Sequence, residues 1–295
     1  MFKIIKRRKI WFLVSGLLMV GSILSLIFFG LNVGIDFKGG TEMELELDKG
    51  QFDKVKSEQI LEKEEVRDIV VQLSGEHGVL LKFDHIDKEK HAAILEDFQT
   101  EFKGAKETRY ETVGPTVSQD LTRKAFIAVA VASLGIIFYL SFAFRKVTKP
   151  ANPWKFGVCA VIALVHDSLF VVGMFALLGH FFDLEVNSLF ITALLTVIGF
   201  SVHDTIVVFD RIRENLNRMD KPFEDVVEYS VGQTMVRSLA TSFTTLLVLV
   251  AIILFGGETI RSFIFALAIG IIVGVYSSIF LASPLIVAWQ SKGND

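Results

Sequence analysis

The stretch VIGFSVHDTIVVFDRIREN, residues 197–215, begins as lipid-soluble sequence and ends as charged, water-soluble sequence. Inside its apolar part, seven residues before the first arginine, stands Asp204. A carboxylate at the centre of a membrane helix costs roughly 3 kcal/mol or more. Such a residue needs a physical reason, and the rest of the chain has to supply it.

The surrounding composition is that of a membrane protein. Of 295 residues, 52% are hydrophobic, and the mean hydropathy is +0.51. A soluble domain of this size would expose too much apolar surface, and the hydrophobicity is clustered. Six runs reach the roughly 20 residues that a bilayer requires. They are Ile10–Leu31, Phe126–Phe144, Phe156–Leu178, Val186–Phe209, Ser238–Phe255 and Phe263–Trp289. The first follows KIIKRRKI and is too long for a cleaved signal, so it reads as a signal-anchor. An even number of spans puts both ends on one side. Lys3, Lys6, Arg7, Arg8 and Lys9 lie in the tail. Arg145, Lys146, Lys149 and Lys155 follow the second span, and Arg211, Arg213, Arg218 and Lys221 follow the fourth. The opposite short loops carry none at 179–187 and one, Arg261, at 256–262. This bias predicts cytoplasmic termini. A net charge of −3 gives no basic field for nucleic acid. The single cysteine, Cys159, excludes a disulfide within the chain.

The only long polar segment, residues 32–123, lies between the first two spans and is therefore expected outside the membrane. TEMELELD alternates Met43, Leu45 and Leu47 against acids, a half-buried strand. SEQILEKEEV predicts a short helix. RDIVVQL and GVLLKF are two strands joined by SGEHG, a hairpin turn with glycine. DKEKHAAILEDFQTEF predicts an amphipathic helix with Ala92, Leu95, Phe98 and Phe102 on its buried face and Asp87 as N-cap. TRYETVG is a last strand. Strand-helix-strand-strand-helix-strand is the ferredoxin-like plan. His77, His85 and His91 read as surface residues rather than metal ligands. No nucleophile–base pair, Walker loop or zinc spacing is present, so the domain reads as a contact surface. The expected organisation is thus a tail and first span (1–31), an exported α+β domain (32–123) and a five-helix bundle (124–295).

Three ionisable residues in or beside the spans need a reason: Asp167, Asp204 and Arg237. Asp167 lies 12 residues beyond Lys155, about 18 Å along a helix. Two readings stand for it: a place on a proton pathway, or pairing with His166, Ser168 or a partner subunit. Asp204 is about 10 Å inside the fourth span. It reads either as half of a fixed ion pair or as a group that gains and loses a proton. Arg237 opens the fifth span from the same side. Alone it reads as an interfacial snorkelling residue, but with Thr241, Thr244 and Thr245 it makes one polar helix face. Such a face is expected to look into the bundle or a wet cavity. KPFEDVVEYSVGQT reads as a separate interfacial helix, with Phe223, Val226, Val227 and Ser230 along one side. Ala266, Gly270, Gly274, Ser278 and Ala282 recur every four residues, a small-residue ridge for close packing. Whether its partner helix lies in this chain stays open.

These residues resemble the SecF family of bacterial protein-export membrane proteins over essentially the whole chain. GIDFKGGT, with Gly34, Asp36, Gly39 and Gly40, resembles the family's glycine-rich motif after the first span. VGP at 113–115, ALVHDS at 163–168, the opening stretch, RSLATSFTTLLV and LFGGETIRSF resemble its later motifs. Phe200 and His203 stand where tyrosine and asparagine are common in the family, so His203 is a second candidate titrating group beside Asp204. The resemblance implies a non-enzymatic role in Sec-dependent export, without cofactor or metal. It implies SecD as partner, forming a transporter of the RND superfamily in the plasma membrane. The pair would associate with the SecYEG channel, a translocating preprotein and membrane lipid. Proton-motive force would drive late export, with Asp204 and Arg237 as the family's intramembrane pair. Two other classes remain: half of an RND-type exporter of small molecules or lipids, and a purely structural stabiliser of SecD.

Overall fold

The computed structural model describes residues 3–48, 50–74, 77–146, 153–257 and 260–291. The expected hairpin turn at Gly75 and Glu76, the loop 147–152 with Lys149, and residues 258–259 lie outside them. Two compact units emerge, one of residues 33–126 and one of residues 1–32 with 127–295.

The chain opens with a 3-10 turn, Ile5–Arg7, that runs into helix α1, Arg8–Phe29. Gly30 ends α1 at φ +67°, a conformation open to glycine. The 33–126 unit follows. Its elements are α2 (Ile35–Lys38), β1 (Gly40–Glu46), α3 (Lys54–Lys63), β2 (Val70–Ser74), β3 (Gly78–Phe83), α4 (Lys88–Glu101) and β4 (Lys106–Val113). The strand order is β2-β3-β1-β4, every neighbour antiparallel. β3 lies between β1 and β2, so the unit β1-α3-β2 is split by a strand. On β1 the alternation puts Met43 and Leu45 inward at 0% exposure, with Leu47 beyond them. They join Leu61, Leu81, Ile94 and Phe98 in one core.

Asp53 caps α3 by accepting from the Val55 and Lys56 amides, and Asp87 caps α4 by accepting from the Lys90 amide. One sequence expectation fails here. The buried face of α4 is Ile94, Phe98 and Phe102, and Ala92 is exposed. Ile94 and Phe98 are one turn apart, and two large side chains displace a face begun at a small one.

The glycine-rich motif works through its backbone. Gly40 has φ +134°, and a Cβ there would lie 2.8 Å from the Phe83 carbonyl oxygen. Gly39 has φ +80°, with Ser118 Oγ and the Val113 carbonyl each 3.4 Å from the same added atom. Gly40 also pairs with Val113 of the VGP motif. The two motifs therefore bring the entry and exit of this unit together. Gly34 precedes α2, and Asp36 lies in its first turn.

Pro115 is the first residue of α5, Pro115–Ala143, where its missing N–H is no loss. The second membrane helix thus starts eleven residues before the Phe126 expected from hydropathy. After it come α6 (Pro153–Phe182), α7 (Ser188–Leu216), α8 (Phe223–Phe255) and α9 (Arg261–Ser277). A π turn, Ser278–Ala282, leads into α10, Ser283–Ser291. Among the described residues, six helical segments are long and apolar enough to cross a bilayer. The expected interfacial helix is instead the opening of α8: Phe223 through Phe255 is one uninterrupted helix. Val226, Val227 and Ser230 are buried, so the neighbouring helix takes up the face that an interface would have needed.

The π turn has a local cause. Pro284 cannot donate to a carbonyl four residues back, and a widened turn relieves the clash its ring would make. Ser283 Oγ then donates to the Ser278 carbonyl at 2.8 Å.

Small residues set the helix spacing. A Cβ on Gly270 of α9 would meet Val197 Cγ2 at 2.1 Å, and one on Gly274 would meet Ser201 Cβ at 3.1 Å. Ala266, Ser278 and Ala282 are buried along the same ridge. The open question about its partner is thereby answered: α7 of this chain. A second close approach joins α1 to α6, where a Cβ on Gly173 would lie 2.4 Å from Ser22 Cβ and 2.6 Å from its Cα. The Ile4 and Ile5 amides donate to Glu228 of α8 at 2.7 and 2.9 Å, and Arg8 pairs with Glu224 at 3.1 Å. A distant carboxylate thus holds the amides of the 3-10 turn that leads into the first membrane helix.

Gly270→Ala forces a methyl into Val197 and should destabilise the bundle by about 1–3 kcal/mol, the usual range for overpacking. Gly199→Ala is the control, because nothing lies within 4 Å of its added Cβ. The check is the thermal midpoint of each purified variant in one detergent.

Candidate functional site: carboxylates inside the helix bundle

Asp204 lies on α7 at 5% exposure, facing α8. Its Oδ1 accepts from Ser238 Oγ of α8 at 3.5 Å, a long and weak contact. Its Oδ2 is buried and has no hydrogen-bond partner among the described residues. Half of this carboxylate is therefore unsatisfied, which is rare for a buried polar atom.

Arg237 is the residue before Ser238, yet its side chain points outward and is exposed. It makes no ion pair with Asp204. The expected polar face of α8 does form: Thr241 donates to the Arg237 carbonyl at 3.0 Å, and Thr244 and Thr245 to the Thr241 carbonyl at 2.8 and 3.1 Å. But Arg237, Thr241 and Thr244 face away from the other helices of this chain. The buried face is Val226, Ser230, Thr234, Ser238, Ser242 and Leu249. The inward direction expected for the arginine and threonines is thus corrected. A helix has one inward stripe, and serines and β-branched residues one step round occupy it. His203 is also outward, 71% exposed at the side chain, with Nδ1 4.0 Å from Asp204 Oδ1.

Asp167 is more deeply buried, at 1% exposure. Oδ1 accepts from His166 Nδ1 at 2.9 Å. Oδ2 accepts from Ser201 Oγ of α7 at 2.5 Å and from Ser277 Oγ of α9 at 2.6 Å. Of the partners expected from sequence, His166 is one; Ser168 makes no such bond. The carboxylate joins three helices. Beside it, Ser278 Oγ lies 2.8 Å from Thr205 Oγ1, and Thr205 donates to the Ser201 carbonyl at 3.2 Å. A row of hydroxyls thus runs from Asp167 to the residue next to Asp204.

Sequence reasoning missed Ser201, Thr205, Ser238 and Ser277. Each is a hydroxyl in an apolar run, and such residues commonly bond their own helix. Only the close α7–α9 approach turns Ser201, Ser277 and Ser278 toward groups on other helices. At the cytoplasm-expected end, Arg211 Nε donates to Gln233 at 2.7 Å, and Asn215 Nδ2 to Ser230 at 2.8 Å, lacing α7 to α8. Arg211 also pairs with Glu214.

A multi-pass membrane protein with carboxylates sealed among its helices is the class that this geometry defines. Residues 93–292 match the family described as protein export membrane protein SecD/SecF, C-terminal, and residues 24–51 match the SecD/SecF GG motif. The protein translocase subunit SecF of Thermobaculum terrenum is 43% identical, over 99% of this chain and 95% of that protein. The translocase subunit SecDF of Bacillus subtilis is 36% identical over 97% of this chain, but only 38% of the longer protein is covered. The crystal structure of SecDF from Thermus thermophilus, a translocon-associated membrane protein, superposes with a TM-score of 0.86 at 34% identity. It takes in 98% of this chain and 39% of that one. The chain belongs to the SecD/SecF family of protein-export membrane proteins.

The Thr205–Ser278 contact is testable by itself. A double-mutant cycle of Thr205→Val and Ser278→Ala should return a coupling of about 1 kcal/mol, the ordinary net worth of a buried hydrogen bond. The measurement is unfolding free energy in mixed micelles; additive effects would show the two hydroxyls to be independent.

Proposed function

We propose that the chain is a subunit of the accessory complex of the Sec translocon, coupling the proton-motive force to late protein export across the plasma membrane. Its partner in this reading is SecD, and the pair acts beside the SecYEG channel on a translocating preprotein. The observation that carries it is Asp204: a sealed carboxylate with one bare oxygen, held by Ser238, the residue next to an arginine that has no ion-pair partner among the described residues. A static ion pair would have put Arg237 on that oxygen. An unpartnered arginine on an outward membrane face instead calls for a second chain. SecD is the candidate, because a solved relative is a SecDF polypeptide of which this chain covers only 39%.

In this mechanism Asp204 takes a proton from the outer side and gives it up to the cytoplasm. Protonation removes its negative charge, while Arg237 on the neighbouring helix keeps its own proton throughout. A proton moving down 100 mV releases about 2.3 kcal/mol, enough to bias two helix packings of similar free energy. α8 carries Arg237 and also holds the first helix through Glu228, so a shift of α8 is felt at α1. Residues 32–123 form a ferredoxin-like domain on the exported side, in contact with the emerging chain. Both termini are cytoplasmic.

Two experiments test this. In membrane vesicles with SecD present, Asp204→Asn with Arg237→Met should assemble normally yet lose at least about tenfold in gradient-dependent export, the loss expected when a proton-transfer group is removed. Asp204→Glu should retain part of it. Secretion rate is normalised to assembled complex; double-variant activity near that of the unmodified protein would leave only a structural role. For orientation, a cysteine at Gln59, exposed on α3, should react with an impermeant thiol reagent on intact cells in a Cys159→Ser background. A cysteine at Lys221 should not. The opposite labelling would reverse the direction of the mechanism.

A further inference from the structure

Asp167 is a buried titratable group that the mechanism above does not use. Its surroundings hold three hydrogen-bond donors: His166 on its own helix, Ser201 on α7 and Ser277 on α9. Among the described residues no lysine or arginine pairs with it, and His166 is the one titratable side chain in contact. Tyr276 of α9 has its ring centre 6.3 Å from that of His166, and its hydroxyl is occupied by Ser15 and the Trp11 carbonyl of α1. Asp204, on α7, is held by Ser238 of α8 and not by this cluster.

An ionised Asp167 has three side-chain donors and no lysine or arginine against it among the described residues, deep in a membrane bundle. Such a carboxylate demands a positive partner. The space around it is filled by its donors at 2.5–2.9 Å. A proton fits that space.

We propose that Asp167 is a second proton-binding group, separate from Asp204, and that its protonation reverses the hydrogen bond that ties it to Ser277 of α9. The bonding balances in both states. Ionised, Oδ2 accepts from Ser201 and Ser277. When a proton adds to Oδ2, that oxygen donates to Ser277 Oγ and still accepts from Ser201 Oγ. Ser277 then turns its hydrogen to the Gly274 carbonyl, already 3.1 Å away. No helix has to move for the proton to bind, but the tie between α6 and α9 changes direction. The change falls beside the π turn, where Ser278 holds Thr205 and Thr205 adjoins Asp204. Occupancy at Asp167 is thereby communicated through Ser278 and Thr205 to the part of α7 that carries Asp204. Use of this proton in export rests on the proton-coupled reading above; its binding does not.

The test is pH-jump infrared difference spectroscopy on the full chain in lipid vesicles. A buried carboxylic acid gives a resolved C=O band when it takes up a proton. The expected band is present in the unmodified protein, persists in Asp204→Asn and is lost in Asp167→Asn. Ser277→Ala keeps the carboxyl and removes one partner, so the band remains with a shifted frequency. That variant reads the site even where Asp167→Asn folds poorly. A band insensitive to both Asp167→Asn and Ser277→Ala, or one lost with Asp204→Asn, overturns the proposal. Neither cargo nor channel is present, so a failed export experiment leaves this outcome intact.

Discussion

The contact between α7 and α9 sets the geometry of the whole bundle. At Gly270 the two helices approach so closely that one added carbon would sit 2.1 Å from a valine methyl. Lipid offers no hydrophobic drive to press helices together, so close packing and interhelical hydrogen bonds must do it. The short approach provides both. It brings Ser277 within 2.6 Å of Asp167 and Ser278 within 2.8 Å of Thr205. Without the glycines, the helices would stand further apart, and those hydroxyls would return to their own backbone.

Two carboxylates in one bundle meet contrasting environments. Asp167 has three donors from three helices. Asp204 has one long contact and a bare oxygen. The first is completed by donors within the chain; the second keeps one oxygen without a hydrogen-bond partner among the described residues. Arg237 repeats that incompleteness on the neighbouring helix. A polar stripe of Arg237, Thr241 and Thr244 facing away from the bundle is stable in a membrane only against water or another protein.

In the 33–126 unit, the physics is that of a soluble domain, and sequence reading was correspondingly stronger. Alternation on β1, the Asp53 and Asp87 caps and the order of strands and helices follow from periods of two and 3.6 and from cap chemistry. The error at Ala92 shows the limit. A face can be placed one residue off when a small apolar residue fits the period as well as a large one.

The sequence by itself determined how many helices can cross a membrane, that one long polar segment separates the first two, and that Asp167, Asp204 and Arg237 need reasons. Hydropathy and charge are sums along the chain, and no folding is needed to read them. It also located the small-residue ridge of the last helix. Only the tertiary structure decided the ridge's partner, the three donors of Asp167, the bare oxygen of Asp204 and the outward direction of Arg237. In water, a helix announces its buried side by being apolar there and polar elsewhere. In a membrane, the lipid-facing and core-facing sides are both apolar, so the rotation of each helix about its axis leaves no mark in the sequence. That rotation is set by steric fit between neighbours such as Gly270 and Val197, and it settles which hydroxyl meets which carboxylate.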